Sequence, residues 1–172
     1  MLVLFVCTGN ICRSPTAERL AMAYCAQAGI PAFSAASAGT RAVIGHPVHP
    51  DAERVLRTLG GDGSNFAARQ LTPKIASGAD LILTMTRAHR DSVLELAPNK
   101  LKRTFSIPEA AHLIAALGAR TVADLANLRP KLVTSEVPDI VDPIGQSPDV
   151  FAAVGQQIAD LLPPVLELCR PE

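Results

Sequence analysis

The apolar run Leu2-Val3-Leu4-Phe5-Val6 stands directly before Cys7-Thr8-Gly9-Asn10-Ile11-Cys12-Arg13-Ser14-Pro15, and an amphipathic stretch follows at once. A short continuous apolar run reads as a buried strand. Apolar residues at i, i+3, i+4, i+7, i+8 and i+11 (Ala17, Leu20, Ala21, Tyr24, Cys25, Ala28) read as one buried helix face, with Gly29 as its stop. A strand and a helix joined this tightly constrain the fold more than any other feature of the chain. The junction places a loop of backbone N–H groups at a strand C-terminus and a helix N-terminus, where anions bind.

The loop carries a thiol and a guanidinium with five residues between them, Cys7 and Arg13. In this reading the amides of Thr8, Gly9, Asn10, Ile11, Cys12, Arg13 and Ser14 ring a tetrahedral oxyanion, Arg13 completes the ring bidentately, and Cys7 sits beneath, aimed at the central atom. A free thiol has a pKa of about 8.5, so the anion-binding groups that favour negative charge also favour the nucleophilic thiolate. Gly9 suits a tight loop needing positive φ, and Asn10 tolerates it next best. Pro15 fits the first helical position with Ser14 before it as the N-cap. A metal site on Cys7 and Cys12 lacks a second Cys or His pair at ligand spacing, and a Walker loop lacks its Gly-Lys-Ser/Thr ending.

Composition narrows the function classes. With 172 residues and 48% hydrophobic content the chain suffices for one domain spanning 1–172, and no Gly/Ser linker or charge block divides it. Sixteen Lys+Arg balance sixteen Asp+Glu, and aromatics are 3%, so a nucleic-acid partner has little support. The first apolar run is too short for a span, and no segment approaches about 18 consecutive apolar residues. A soluble, cytoplasmic protein without a membrane partner is expected, with Cys7, Cys12, Cys25 and Cys169 as thiols. Cys25 lies on the apolar helix stripe and reads as core. Two sulfurs in one loop could form a reversible bond shielding Cys7, or Cys12 could be a small buried residue. No metal and no cofactor is required.

Further along, Phe33 to Ser37 reads as a short strand, Val43 to Pro50 as a turn-rich stretch, and Ala52 to Leu59 as a helix. A small helix near Thr72 to Ser77 precedes the strand Asp80 to Met85. Then come a helix at Ala88 to Leu96, a strand at Arg103 to Ile107, and helical pieces Pro108 to Leu117 and Val122 to Leu128. Residues 129–148 read as a proline-rich loop. Phe151 to Cys169 reads as a long helix that Pro163-Pro164 must kink or interrupt. Alternating strands and helices predict an α/β fold with a parallel sheet, right-handed crossovers and helices on both faces. The Cys7 loop then falls at strand C-terminal ends, where such sheets bind ligands.

Residues 7–15 closely resemble the phosphate-binding loop of the low-molecular-weight protein tyrosine phosphatases. Ser37-Ala38-Gly39-Thr40, Ala68-Arg69-Gln70-Leu71, Ala79-Asp80-Leu81-Ile82-Leu83-Thr84-Met85 and Asp142-Pro143 follow in the family's order. The resemblance implies four parallel strands in the order 2-1-3-4 and a phosphomonoester hydrolase acting on a phosphorylated protein or small aryl phosphate, as a monomer or weak dimer. It implies a phosphocysteine on Cys7, Arg13 and the loop holding the phosphoryl oxygens, and Asp142 as general acid and base. Asp139, three residues earlier, is the alternative acid. Asn10, Ser14 and Ser37 are implied to support the loop, although Ser37 could equally be a strand-end serine, and the redox role of Cys12 is favoured. Two departures stand out. Ile144-Gly145 and Val43 or Ile44 occupy places where phosphotyrosine-preferring relatives carry aromatics, and Phe66 stands where many carry a histidine of the loop-supporting network. An arsenate reductase on the same scaffold and a non-enzymatic phosphoprotein-binding module are the competing readings. The sheet-sharing reductases use a later cysteine pair, and 26–168 contains no cysteine.

Overall fold

A computed structural model describes residues 1–171. Its strands are β1 (Leu2–Cys7), β2 (Ser34–Gly39), β3 (Leu81–Thr84) and β4 (Thr104–Ser106). They form one parallel sheet in the order β2-β1-β3-β4. The helices are α1 (Arg13–Gln27), α2 (Pro50–Thr58), α3 (Pro73–Gly78), α4 (Arg87–Leu96), α5 (Ile107–Leu117), α6 (Val122–Leu128) and α7 (Pro148–Glu167). Short 3₁₀ turns lie at Pro98–Arg103, Arg129–Lys131 and Thr134–Glu136. The expected α/β class and strand order are therefore present, and among the described residues the elements the sequence reading lacks are these turns, two of them inside the stretch read as a bare loop.

The alternation of β1 splits the core. Val3, Phe5 and Cys7 face a cluster built with α1, α5 and α7, through Leu20, Ile107, Ile158 and Val165 among others. Leu4 and Val6 face the opposite side, against Ala76 of α3 and Val93 of α4. Both faces of the central strand are thus covered, which is why it is apolar at every position rather than at alternate ones. Neighbouring strands leave β1 in opposite directions, β2 to one side and β3 to the other, so the loop after Cys7 lies at the topological switch point.

The long C-terminal helix departs from expectation. It runs unbroken through Pro163 and Pro164 to Glu167. Each proline removes an N–H and crowds the carbonyl four residues earlier. Little helix follows them, however, and Val165 and Leu166 are fully buried with Cys169 nearly so, which holds the last turn against the core. Packing outweighs propensity here. Among the described residues no helix is long and apolar enough to cross a membrane.

Candidate active site

The loop between β1 and α1 has its polar groups sorted by direction. The carbonyls of Cys7, Thr8, Gly9 and Ile11 accept from the N–H groups of Thr40, Arg41, Val43 and His49 at 2.9, 3.0, 2.9 and 2.7 Å, and Cys12 O accepts from Thr16 at 3.1 Å. The acceptors are thereby drawn outward. Among the described residues the N–H groups of Gly9, Asn10, Ile11 and Cys12 donate to no protein atom. Buried amides are almost always paired, so a run of free donors on one side of a loop and tethered carbonyls on the other defines an anion-binding concavity. Gly39 makes the tethering possible, since a Cβ there would lie 2.4 Å from Thr8 O. No side chain fits that approach.

Inside the concavity is a cavity of about 230 Å³. Cys7, Cys12 and Arg13 line its base, Ile11, Val43 and Ile144 form aliphatic walls, and Asp142 stands at the rim. Ile44 is 68% exposed and is not part of the lining. Arg13 is buried. Its Nη1 donates to Ile140 O at 2.9 Å, its Nη2 lies 3.1 Å from Asp142 Oδ2, and its Nε is buried without a partner among the described residues. A buried guanidinium N–H with no acceptor beside unpaired amides fits an incoming oxyanion.

The supporting network is ordered. Asn10 Nδ2 donates to Ser14 Oγ and to Ser37 Oγ, both at 2.9 Å, and Asn10 Oδ1 accepts from Arg69 N at 2.8 Å. Because Ser14 accepts from Asn10, its own proton is free for Cys7 Sγ, 2.9 Å away. Ser37 in turn donates to Glu18 Oε2 at 2.5 Å. Both serines and Asn10 are buried. These bonds correct two details. The positive φ falls on Asn10, at 55°, rather than on Gly9, because three side-chain hydrogen bonds fix Asn10 there. Ser14 is not the N-cap: α1 starts at Arg13 with Cys12 at the cap and no side-chain cap bond, since the Ser14 hydroxyl is turned to Cys7 and Asn10.

Of the two aspartates, Asp142 reaches the cavity and Asp139 does not. Asp139 Oδ1 accepts from Arg87 N at 3.0 Å and lies 3.6 Å from Arg87 Nε, pinning the loop to the start of α4. Ile140 N donates to Met85 O at 3.0 Å, a second anchor. Asp142 Oδ1 accepts from Ile144 N at 3.2 Å, and its side chain is 49% exposed. Pro143 keeps it extended.

Three residues at the site have no counterpart in the sequence reading. Glu18 ends the network by accepting from Ser37, on the same side of the molecule as Phe66. Phe66 lies under Arg19, whose guanidinium carbon is 5.7 Å from the ring centroid. The departure at Phe66 was the available signal, but spacing alone could not name the substitute. His89 is buried in the first turn of α4, and its Nε2 lies 2.8 Å from Thr8 Oγ1. Burial, then the positive charge of Arg13, lowers its pKa to about 4, so it is neutral at pH 7. Arg41 lines the cavity mouth beside Val43. All four cysteines are free thiols. Burial first, then the nearby sulfur of Cys7, pushes the Cys12 thiol up to about 12.

The family model for low molecular weight phosphotyrosine protein phosphatase matches residues 2–117. The chain is 39% identical over 107 residues to a probable low molecular weight protein-tyrosine-phosphatase, EpsP, of Ralstonia nicotianae, covering 62% of this chain and 70% of that protein. The solved structure of the Erwinia amylovora tyrosine phosphatase AmsI is similar over 95% of this chain and 89% of its own, with TM-score 0.72 and 30% identity. The YwlE arginine phosphatase, in a cysteine-to-serine mutant whose active-site serine is phosphorylated, is similar over 97% of this chain and 94% of its own, with TM-score 0.77 and 26% identity.

Proposed function

Because the chain belongs to the low molecular weight phosphotyrosine protein phosphatase family, we propose that it hydrolyses phosphomonoesters in two steps through a phosphocysteine on Cys7. In the first, the Cys7 thiolate attacks phosphorus, the Sγ–P bond forms, the bond to the leaving oxygen breaks, and Asp142 gives that oxygen its proton. In the second, Asp142 takes a proton from water as the water oxygen attacks phosphorus, and the Sγ–P bond breaks. Inorganic phosphate leaves and the thiolate returns. Arg13 and the free loop amides hold the equatorial oxygens throughout, where charge spreads in the transition state. The Ser14 proton stabilises the departing sulfur. The observation that carries this reading is the one-sided loop: carbonyls tied outward, donors free inward, with Cys7 beneath and Asp142 at the rim. The phosphorylated serine of YwlE supports a covalent intermediate at the equivalent thiol.

The competing readings make different demands. An arsenate reductase relying on a later cysteine pair is not served by Cys25 and Cys169, both buried in the core. A binding module would show no turnover dependent on Cys7. The test is hydrolysis of p-nitrophenyl phosphate in one assay and arsenate-dependent oxidation of added thiol in another, each by wild type and Cys7→Ser. Aryl phosphate turnover lost in Cys7→Ser supports the phosphatase, and thiol-dependent arsenate turnover without it supports the reductase.

A second substrate reading is favoured by the walls. Ile11, Val43 and Ile144 offer no ring to stack on, which forgoes about 0.5–1.5 kcal/mol per aromatic pair. An aliphatic slot with a carboxylate at its rim also suits phosphoarginine, and YwlE is an arginine phosphatase. The ratio of kcat/KM for phosphotyrosine and phosphoarginine peptides separates the two. A cytoplasmic location belongs to the same reading and is supported by the free thiols.

A further inference from the structure

A second cavity, of about 560 Å³, adjoins the catalytic one and shares Thr8 and Arg41 with it. One wall is the face of α4 that carries the buried His89, the half-buried Ser92 and the exposed Glu95 and Leu96. A small aryl phosphate leaves this space empty. An extended polypeptide advances about 3.3–3.6 Å per residue, so residues next to a phosphorylated side chain seated over Cys7 reach across Thr8 into it.

The charges in the groove are arranged with a direction. The guanidinium of Arg41 is exposed and has no hydrogen bond or ion pair among the described residues, unlike that of Arg13, which holds Ile140 and Asp142. It lines both cavities and so stands where one passes into the other. Glu95 lines only the second, on the last turn of α4. The end of the groove nearest the reacting centre is therefore its positive end. A planar fork of unpaired N–H donors matches a carboxylate. The base of the groove is firm at this point, because Thr8 is tied through its carbonyl to Arg41 N and through its hydroxyl to His89.

We infer that this groove is a substrate subsite: it takes the polypeptide flanking the phosphorylated residue, and Arg41 selects an acidic side chain immediately next to that residue. The inference rests on the phosphatase reading of the Cys7 site and adds to it a polypeptide substrate with a sequence preference. Neither the sorted loop donors nor the nucleophile depends on it.

The test uses phosphotyrosine peptides in two matched pairs, with Glu or Gln immediately before the phosphotyrosine in one and immediately after it in the other. Wild-type protein is expected to prefer Glu in one pair by about fivefold in kcat/KM, the scale of a partly exposed ion pair. The preference shrinks as salt is raised. Arg41→Glu is expected to abolish or invert it, and because the ratio is taken within one variant, a loss of folded protein cancels. Ser92→Trp, which fills the second cavity, is expected to lower kcat/KM for every peptide relative to p-nitrophenyl phosphate. Equal turnover of Glu and Gln peptides by wild type, an unchanged ratio in Arg41→Glu, or an unchanged peptide-to-aryl ratio in Ser92→Trp overturns the subsite while Cys7-dependent turnover stands. Absence of any Cys7-dependent turnover overturns instead the reading beneath it.

Discussion

At the scale of single residues, the two aspartates of the proline-rich loop divide the work. Asp142 faces the cavity, and Asp139 fastens the loop to Arg87. Removing a general acid costs roughly 10²–10⁴-fold. Asp142→Asn is expected to lose kcat in that range on p-nitrophenyl phosphate, whereas Asp139→Asn, which keeps an acceptor for the Arg87 amide, should lose far less. Steady-state kinetics of both variants checks the assignment. The dipeptide Asp142-Pro143 was legible only through its resemblance to the family's own dipeptide, the restriction that proline places on its neighbour accounting for the stiffness of the loop and not for the role. What could not be read was the partner that completes the Asn10 network, since Glu18 meets Ser37 only after α1 and β2 pack. A double-mutant cycle of Glu18→Ala and Ser37→Ala, read by denaturant unfolding, should show coupling of at least about 0.5 kcal/mol. Additive losses would mean the short contact contributes nothing of its own.

His89 gives the residue scale a pH signature. Its pKa is about 4 in the folded protein, against about 6.5 for an unfolded histidine. Between these values the unfolded chain holds a proton that the native state does not, so stability is complete above pH 6.5 and falls as pH drops toward 4. The loss from this group reaches up to about 3 kcal/mol. Urea midpoints of His89→Asn across that range should fall less steeply than those of wild type, and parallel curves would contradict the assignment.

Among the elements, β1, α1 and β3 were legible because burial on both faces or on one stripe imposes a pattern that survives alone. The run of α7 through Pro163-Pro164 was not, because what sustains it is the burial of Val165 and Leu166 in a core cluster shared with elements distant in sequence, α1 and α5 among them. Gly155 carried no local signal either. In the interior of α7 a glycine costs about 1 kcal/mol relative to alanine, yet a Cβ there would lie 2.3 Å from Val55 Cγ1 on α2. The close approach of the two helices decides the sign. Gly155→Ala should destabilise the protein by about 1–3 kcal/mol despite its better helix propensity, and should become stabilising in a Val55→Ala background. Thermal unfolding of the two single variants and the double variant settles it, with stabilisation by Gly155→Ala alone as the contradicting result.

Over the whole molecule, the doubly covered sheet fixes where chemistry can occur. Strand β1 is buried on both faces, so its C-terminal end is the first place the chain can meet both solvent and a helix N-terminus, and Cys7 stands there. Strands β2 and β3 deliver Gly39 and Met85 to the same edge, where the missing Cβ of Gly39 leaves room for Thr8 O and Met85 O accepts from Ile140 N. That convergence follows from strand order, which a parallel alternation of strands and helices does not fix by itself. Rapid-quench turnover of p-nitrophenyl phosphate with mass analysis of the acid-stopped protein tests the central claim most directly. The account predicts a burst of p-nitrophenol equal to the enzyme present and one phosphoryl group on the peptide bearing Cys7. Turnover that persists in Cys7→Ser, or a phosphoryl group found on any other residue, would contradict it.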